Sequence, residues 1–255
     1  MKVSIVVPVL NEEDRVSEMF ATTTGLRGDF EVIFVDGGSR DATLERLLKS
    51  AEDFNSKVIS NKKSALNDKF CNMSDKVRVQ PEIKVISSDR GRAVQMNAGA
   101  NASSGEILFF LHADSLPPSS AIEDICRVVS IGYNAGCFKI KFDSDKFLMR
   151  CCGFMSNLRV RLRNIAFGDQ GIFLKKELFY RLGGYREIPL MEDYQLSMDI
   201  KKNFKIGQTK TVITTSSRRF LDCGVVKTMY KMQKLQGMYR RGVKAEKIAD
   251  LYNRK

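Results

Sequence analysis

Apolar residues recur along residues 1–118 in two alternating patterns. VSIVVPVL (3–10) is a near-continuous β-branched run, as expected of a strand covered on both faces. A helical stretch follows from Glu12 to about Thr24. EVIFVD (31–36) is a second buried strand and ends in the turn-forming GGSRD. Thr43 to Lys49 reads as helix, EIKVIS (82–87) as a third strand, RAVQMNAGANA (92–102) as a helix and EILFFLHAD (106–114) as a fourth strand. Strands alternating with helices predict a parallel sheet with right-handed crossovers. Ligands of such sheets bind beyond the carboxyl ends of the strands.

Residues 53–80 break this rhythm. They are rich in Asn, Ser, Lys and Asp, with little periodicity, which predicts a polar, mobile surface insertion. After Pro118 the pattern changes. NAGCFKIKFD (134–143), QGIFLKK (170–176) and TKTVITTSS (209–217) read as strands with helices between them. No internal repeat is visible.

With 255 residues, the chain can bury a sizeable core. No apolar run is long enough to span a bilayer, and the N-terminus enters a strand pattern without a leader-like segment. A soluble, cytoplasmic protein, at most peripheral to a membrane, is the expectation. The six cysteines (Cys71, Cys126, Cys137, Cys151, Cys152 and Cys223) form no CxxC pair, which fits a reducing compartment. The net charge of +12 is local: residues 201–255 hold 15 Lys and Arg against 3 Asp and Glu, and the rest is neutral.

Seven polar residues fall at or just beyond predicted strand ends: Asn11, Glu12, Asp36, Arg90, Arg92, His112 and Asp114. Any one of them is unremarkable, but the fold logic brings all seven to one rim. His112 is the only histidine in the chain. On a strand it would share a side with Asp114.

The stretches IVVPVLNEE, VIFVDGGSRDAT, GRAVQMNAGA, ILFFLHADS and LGGYREIPLMEDYQLSMDIKK resemble family 2 glycosyltransferases of GT-A fold. DRGRAVQMNAGA, FLHAD, FGDQGIF, IPLMED and TTSSRRF are similar to the arsenosugar-biosynthesis-type subfamily. The resemblance covers nearly the whole chain except 53–80. It implies an α/β protein with a mostly parallel central sheet flanked by helices, in one GT-A domain. Residues 1–118 would form its nucleotide half, 119–223 its acceptor half and 224–255 a set of basic C-terminal helices. It also implies a nucleotide-diphosphosugar donor, an acceptor hydroxyl of unknown identity, a divalent cation (Mn²⁺ or Mg²⁺) and inversion at the anomeric carbon. No nucleic-acid partner is expected.

By that resemblance, Pro8, Asn11, Glu12 and Asp36 hold base and ribose. Asp36 is equally suited to capping its own turn. Arg90 and Arg92, beside Gly91 at a helix start, suit a diphosphate; a solvated helix face is the alternative. The family's Asp-x-Asp is replaced here by His112-Ala113-Asp114. Asp114 is the expected metal ligand, and His112 joins it at the metal, contacts the donor, or is a lone histidine satisfied at a strand end. Asp169 and Gln170 in FGDQG resemble donor-sugar or acceptor contacts, or form an ordinary turn. Arg218 and Arg219 are placed to stabilise the leaving diphosphate, or end a strand in solvent. Glu192-Asp193 opens a helix and matches the family's catalytic pair, with Asp193 as the expected base and Glu192 beside it.

In the C-terminal segment, Lys227, Lys231 and Lys234 share one helical face, opposite Val225, Met229 and Met232. Either the helix packs on the domain with its lysines in solvent, or 224–255 contacts an anionic membrane surface. Two rival readings of the whole chain remain. A sugar-phosphate nucleotidyltransferase would need a Gly-rich basic loop after the first strand, where VPVLNEEDR is acidic. A non-enzymatic polyanion-binding module would use the basic C-terminal segment, and stabilisation by RNA but not by nucleotide and metal would mark it.

Overall fold

The computed structural model describes residues 1–67 and 80–253. In the first half β1 (Val3–Val9), α1 (Val16–Thr24), β2 (Phe30–Asp36), α2 (Thr43–Asn67), β3 (Glu82–Ser87), α3 (Arg92–Ala102) and β4 (Ile107–Phe110) follow one another. The second half contains β5 (Ser115–Leu116), α4 (Ala121–Ser130), β6 (Ala135–Phe142), α5 (Phe147–Arg163), β7 (Phe173–Lys175), α6 (Lys176–Arg181), α7 (Glu192–Lys201) and β8 (Ile206–Thr215). It ends with α8 (Arg218–Cys223), α9 (Val225–Arg240) and α10 (Ala245–Asn253).

All eight strands join one sheet in the order β3-β2-β1-β4-β7-β6-β8-β5. β1 pairs in parallel with β2 and β4, and β2 with β3. β7 is antiparallel to both β4 and β6, so two reversals return β6 to the direction of β4, and β8 runs parallel to β6. The carboxyl ends of β1, β2, β4, β6 and β8 therefore share one edge.

The β-branched run of β1 is buried on both faces, as its pattern predicts. Val3, Ile5 and Val7 enter a core with α1, α2 and α4 residues, while Val6 faces Ala93, Met96 and Ala100 of α3. Gly99 lets α3 approach the sheet this closely, since a Cβ there would overlap Val6 Cγ1. The polar interruption in β2, Glu31, is fully buried at the opposite end from the ligand edge. It accepts from Ser4 Oγ at 2.6 Å and pairs with Lys84 Nζ at 2.9 Å. Burial opposes its charge, but Ser4, Ser104 and Lys84 outweigh that and pull the carboxyl down to about 2.

Three expectations change. Residues 53–67 are not an irregular insertion but the continuation of α2, and 68–79 lie outside the described residues. The fourth strand ends at Phe110 instead of Asp114, so His112 and Asp114 sit in a turn and the two-residue strand alternation does not apply to them. Ser115 N–H closes that turn on the His112 carbonyl at 3.0 Å. Finally, Arg218 and Arg219 open a short helix instead of ending a strand.

α9 takes the packed alternative. Leu235 and Ile248 of α9 and α10 form a third apolar cluster with Ile165, Met191 and Tyr194, and Tyr239 Oη donates to Gln195 Oε1 at 2.7 Å. Lys227 and Lys234 stay exposed, whereas Lys231 Nζ reaches the Tyr252 carbonyl at 3.0 Å. Among the described residues, no helix is long and apolar enough to cross a membrane.

Candidate active site

A cleft of about 1160 Å³ opens at the shared carboxyl edge, between the strand ends on one side and α5, α8 and α9 on the other. Ten of the residues singled out in the sequence line it: Pro8, Glu12, Arg90, Arg92, His112, Asp114, Asp169, Asp193, Arg218 and Arg219. They come from six separate stretches of chain. Parallel topology brings eight of them together, because the ends of parallel strands meet at one edge; Asp169 precedes the antiparallel β7 and Asp193 opens α7.

Four predicted residues do not line the cleft. Asn11, with φ 53°, accepts from the Arg40 N–H at 2.9 Å and donates its own N–H to Ser39 Oγ, joining two loops. Asp36 caps its turn: Oδ2 accepts from the Gly38 and Ser39 N–H groups at 2.9 and 3.0 Å. Its Oδ1 is buried without a partner among the described residues. Gln170 is fully buried, and its Oε1 accepts from Arg159 Nη2 at 2.8 Å.

Glu192 is the fourth. Its carboxylate is 1% exposed and ion-paired with the Arg92 guanidinium. Burial opposes charge on Arg92, but Glu192 and Asp193 outweigh it and hold the guanidinium above its ordinary value. The adjacent Asp193 points elsewhere, as two neighbours at a helix start must. It lines the cleft, with Oδ2 accepting from Gly168 N–H at 2.8 Å. Met191, which precedes the pair, holds a left-handed backbone (φ 73°). Such strain persists only where surrounding structure enforces it.

Gly168 is shaped by two neighbours at once. A methyl group there would overlap His112 Nε2 and approach Asp193 Oδ2 to 3.4 Å. The Nε2 edge of His112 thus lies against Gly168. Burial and the nearby Arg92 push His112 down to about 3, so the ring is neutral at neutral pH. Asp169 moves the other way. Burial, reinforced by Asp193 and Asp114 and opposed by Arg159, raises its carboxyl to about 6. Its Oδ1 also lacks a partner among the described residues. Burial likewise raises Glu12, with Asp114 adding to the shift and Arg15 and Arg218 opposing it.

Two site residues escaped the sequence reading. Arg159 lines the cleft, stacks 4.2 Å over the Phe167 ring and lies within electrostatic reach of Asp169. Nothing in LRVRLR separates it from Arg161, which lines the second groove; only the rotation of α5 does. Gln95 donates from Nε2 to the Val9 and Val35 carbonyls, both at 2.8 Å, and so ties the ends of β1 and β2. Its signal was a lone polar residue on the otherwise apolar buried face of α3.

Among the described residues, no group of three or more His, Cys, Asp or Glu side chains is placed to hold a metal ion. That still fits a hard divalent cation that shares its coordination with donor phosphates, because such ions take only one or two carboxylates from the protein. Asp114 offers one such carboxylate on the cleft wall.

Comparison with solved structures places this architecture. A mannosyltransferase from Pyrobaculum calidifontis, in complex with GDP-Man and Mn²⁺, superposes with a TM-score of 0.62 at 18% identity, covering 98% of this chain and 68% of that one. S. aureus TarS 1–349 in complex with UDP gives a TM-score of 0.61 at 16% identity, covering 85% and 60%. The fold is GT-A. Residues 4–67 match the model of glycosyl transferase family 2. Curated relatives include undecaprenyl-phosphate 4-deoxy-4-formamido-L-arabinose transferases. That from Pseudomonas fluorescens (strain Pf0-1) is 26% identical over 178 residues, 68% of this chain and 46% of the relative. That from Yersinia pestis (strain Pestoides F) is 26% identical over 179 residues, 68% and 48%. The chain thus spans about half the length of these relatives. The chain thus resembles glycosyl transferase family 2 over residues 4–67 and shares its fold with solved GT-A structures.

Proposed function

We propose that this GT-A protein transfers a sugar from a nucleotide diphosphosugar to an acceptor hydroxyl, with inversion and Asp193 as general base. The observation that carries the reading is the division of labour within Glu192-Asp193. Glu192 is buried and occupied by Arg92, while Asp193 lines the cleft and is oriented by the Gly168 N–H. In the transfer, the acceptor oxygen attacks the anomeric carbon as its proton passes to Asp193. The bond from that carbon to the diphosphate oxygen breaks, and the nucleoside diphosphate leaves.

Arg90, Arg218 and Arg219 line the same cleft and supply positive charge for the departing diphosphate. A divalent cation, Mn²⁺ or Mg²⁺, held by Asp114 with His112 as second donor, would neutralise charge on the same group. The unpartnered Asp36 Oδ1 supports a contact to base or ribose at the end of β2. The finer assignment to the arsenosugar-biosynthesis type belongs to this proposal and rests on FLHAD, FGDQG and IPLMED. A hydrolysis screen across nucleotide sugars, with and without Mn²⁺, tests the activity. Failure of every donor to be turned over, or to raise the unfolding temperature, would overturn it.

A further inference from the structure

α5 is apolar on both of its sides. Its inward face carries Met149, Cys152, Gly153 and Val160, all buried. Its outward face carries Phe147, Phe154 and Leu162, which are 77%, 66% and 75% exposed. At the helical repeat, Phe147, Cys151, Phe154, Leu158 and Leu162 fall within one sector of about 80°. A contiguous outward stripe of this kind marks a contact surface, unlike single exposed apolar residues.

Within α5 itself the charge is one-sided, whereas the exposed Asp143 and Asp145 precede it. KFLMRCCGFMSNLRVRLR (146–163) holds five basic residues and no acid. Arg150 and Arg161 are exposed beside the apolar sector. At the carboxyl end of α5, a groove of about 740 Å³ adds Lys139, Lys201, Lys205 and Lys210 to Arg161, with no carboxylate among its described lining residues. On the other flank Cys152 Sγ meets Met229 Sδ of α9 at 3.1 Å, and α9 adds exposed Val226 and Tyr230.

We infer that α5 docks this protein on an anionic lipid bilayer. Phe147, Phe154 and Leu162 enter the acyl boundary, while Arg150, Arg161 and the basic groove meet lipid phosphates. A second copy of the chain fits the patch less well. A twofold contact would set the patch against itself, surrounding a shared apolar seam with arginines from both copies and no acid from α5 of either. Anionic lipid supplies the missing opposite charge. The docking face also adjoins the cleft, since Met155, Leu158 and Leu162 line its wall. The membrane contact is thereby assigned to α5 and its groove, not to the lysine face of α9.

Vesicle flotation of the full chain tests this, using phosphatidylcholine alone or mixed with phosphatidylglycerol. The wild type should float with the mixed vesicles and not with phosphatidylcholine. Phe147→Asp with Phe154→Asp should lower that partition by roughly tenfold or more. Arg150→Glu with Arg161→Glu should lower it as well, whereas Lys227→Glu with Lys234→Glu should leave it nearly unchanged. All these side chains are exposed, so unfolding temperatures should stay close to the parent's. Absence of wild-type flotation, or α5 variants that float like the parent, would overturn the inference. So would a wild-type dimer in sedimentation velocity that the phenylalanine variants convert to monomer. The readout needs no sugar donor, so it succeeds or fails independently of glycosyl transfer.

Discussion

Arg92 and Glu192 stand 100 residues apart in the chain and form one ion pair beneath the cleft, with the carboxylate almost fully enclosed. Removing the arginine alone would strand a buried carboxylate. Arg92→Ala should therefore lower stability by about 2–4 kcal/mol, below the full figure for a completely buried pair because Arg92 is partly exposed. Adding Glu192→Gln to that variant should restore much of the loss. Urea denaturation of both variants checks this; a double variant no more stable than Arg92→Ala would show that the pair is not the source of the loss.

The same pair leaves Asp193 as the carboxylate of the motif that faces the cleft. Asp193→Asn should keep donor binding but lower turnover by roughly 10²-fold or more, the scale for loss of a general base. Glu192→Gln should act mainly on stability. Initial rates at saturating donor and acceptor decide between them. Near-parental turnover in Asp193→Asn would move the base elsewhere, with Asp169 the next carboxylate on the cleft wall.

Asp114 and His112 differ in what they offer a cation. Asp114 presents a hard oxygen, whereas the Nε2 edge of His112 lies against Gly168. Asp114→Asn should abolish most of the Mn²⁺-dependent part of UDP binding, and His112→Ala should weaken it less. Calorimetry of UDP with and without Mn²⁺ on each variant measures both effects. Parental UDP–Mn²⁺ affinity in Asp114→Asn would remove Asp114 from the metal site.

Asp169 makes stability depend on pH. Its folded carboxyl titrates at about 6, above the ordinary carboxylate range, so between about pH 4 and 6 the folded protein binds a proton that the unfolded chain has released. Stability from this group is therefore greatest at low pH and is lost as pH rises through that window. Asp169→Asn should flatten this dependence. Relative to the variant, the wild type should gain about 1–3 kcal/mol on going from pH 7 to pH 4. Unfolding midpoints over that range, in chelator-treated protein, provide the measurement; parallel curves would place the carboxyl in the ordinary range.

The sequence by itself determined the alternation of strands and helices in the first half. The reason is local: runs such as SIVVPV and EVIFV bury both faces and have no other stable use. It also determined which residue types reach the ligand edge, since polar residues that end parallel strands are carried there by topology alone. Eight of the ten predicted residues that line the cleft do so for this reason, whereas Asp169 precedes the antiparallel β7 and Asp193 opens α7. The helical repeat of residues 53–67 was masked by polar composition, which leaves few apolar positions to mark the period.

Only the tertiary structure decided which member of each local pair does the chemistry. Glu192 and Asp193 are alike in sequence, and the arrival of Arg92 from α3 separates them. Arg159, Arg161 and Arg163 are equally alike until the rotation of α5 sends Arg159 toward Asp169 and leaves Arg161 beside the outward apolar stripe. That stripe was invisible for the same reason. Apolar residues on both sides of a helix read as full burial, and whether the outer side is covered depends on partners that lie far away in the chain.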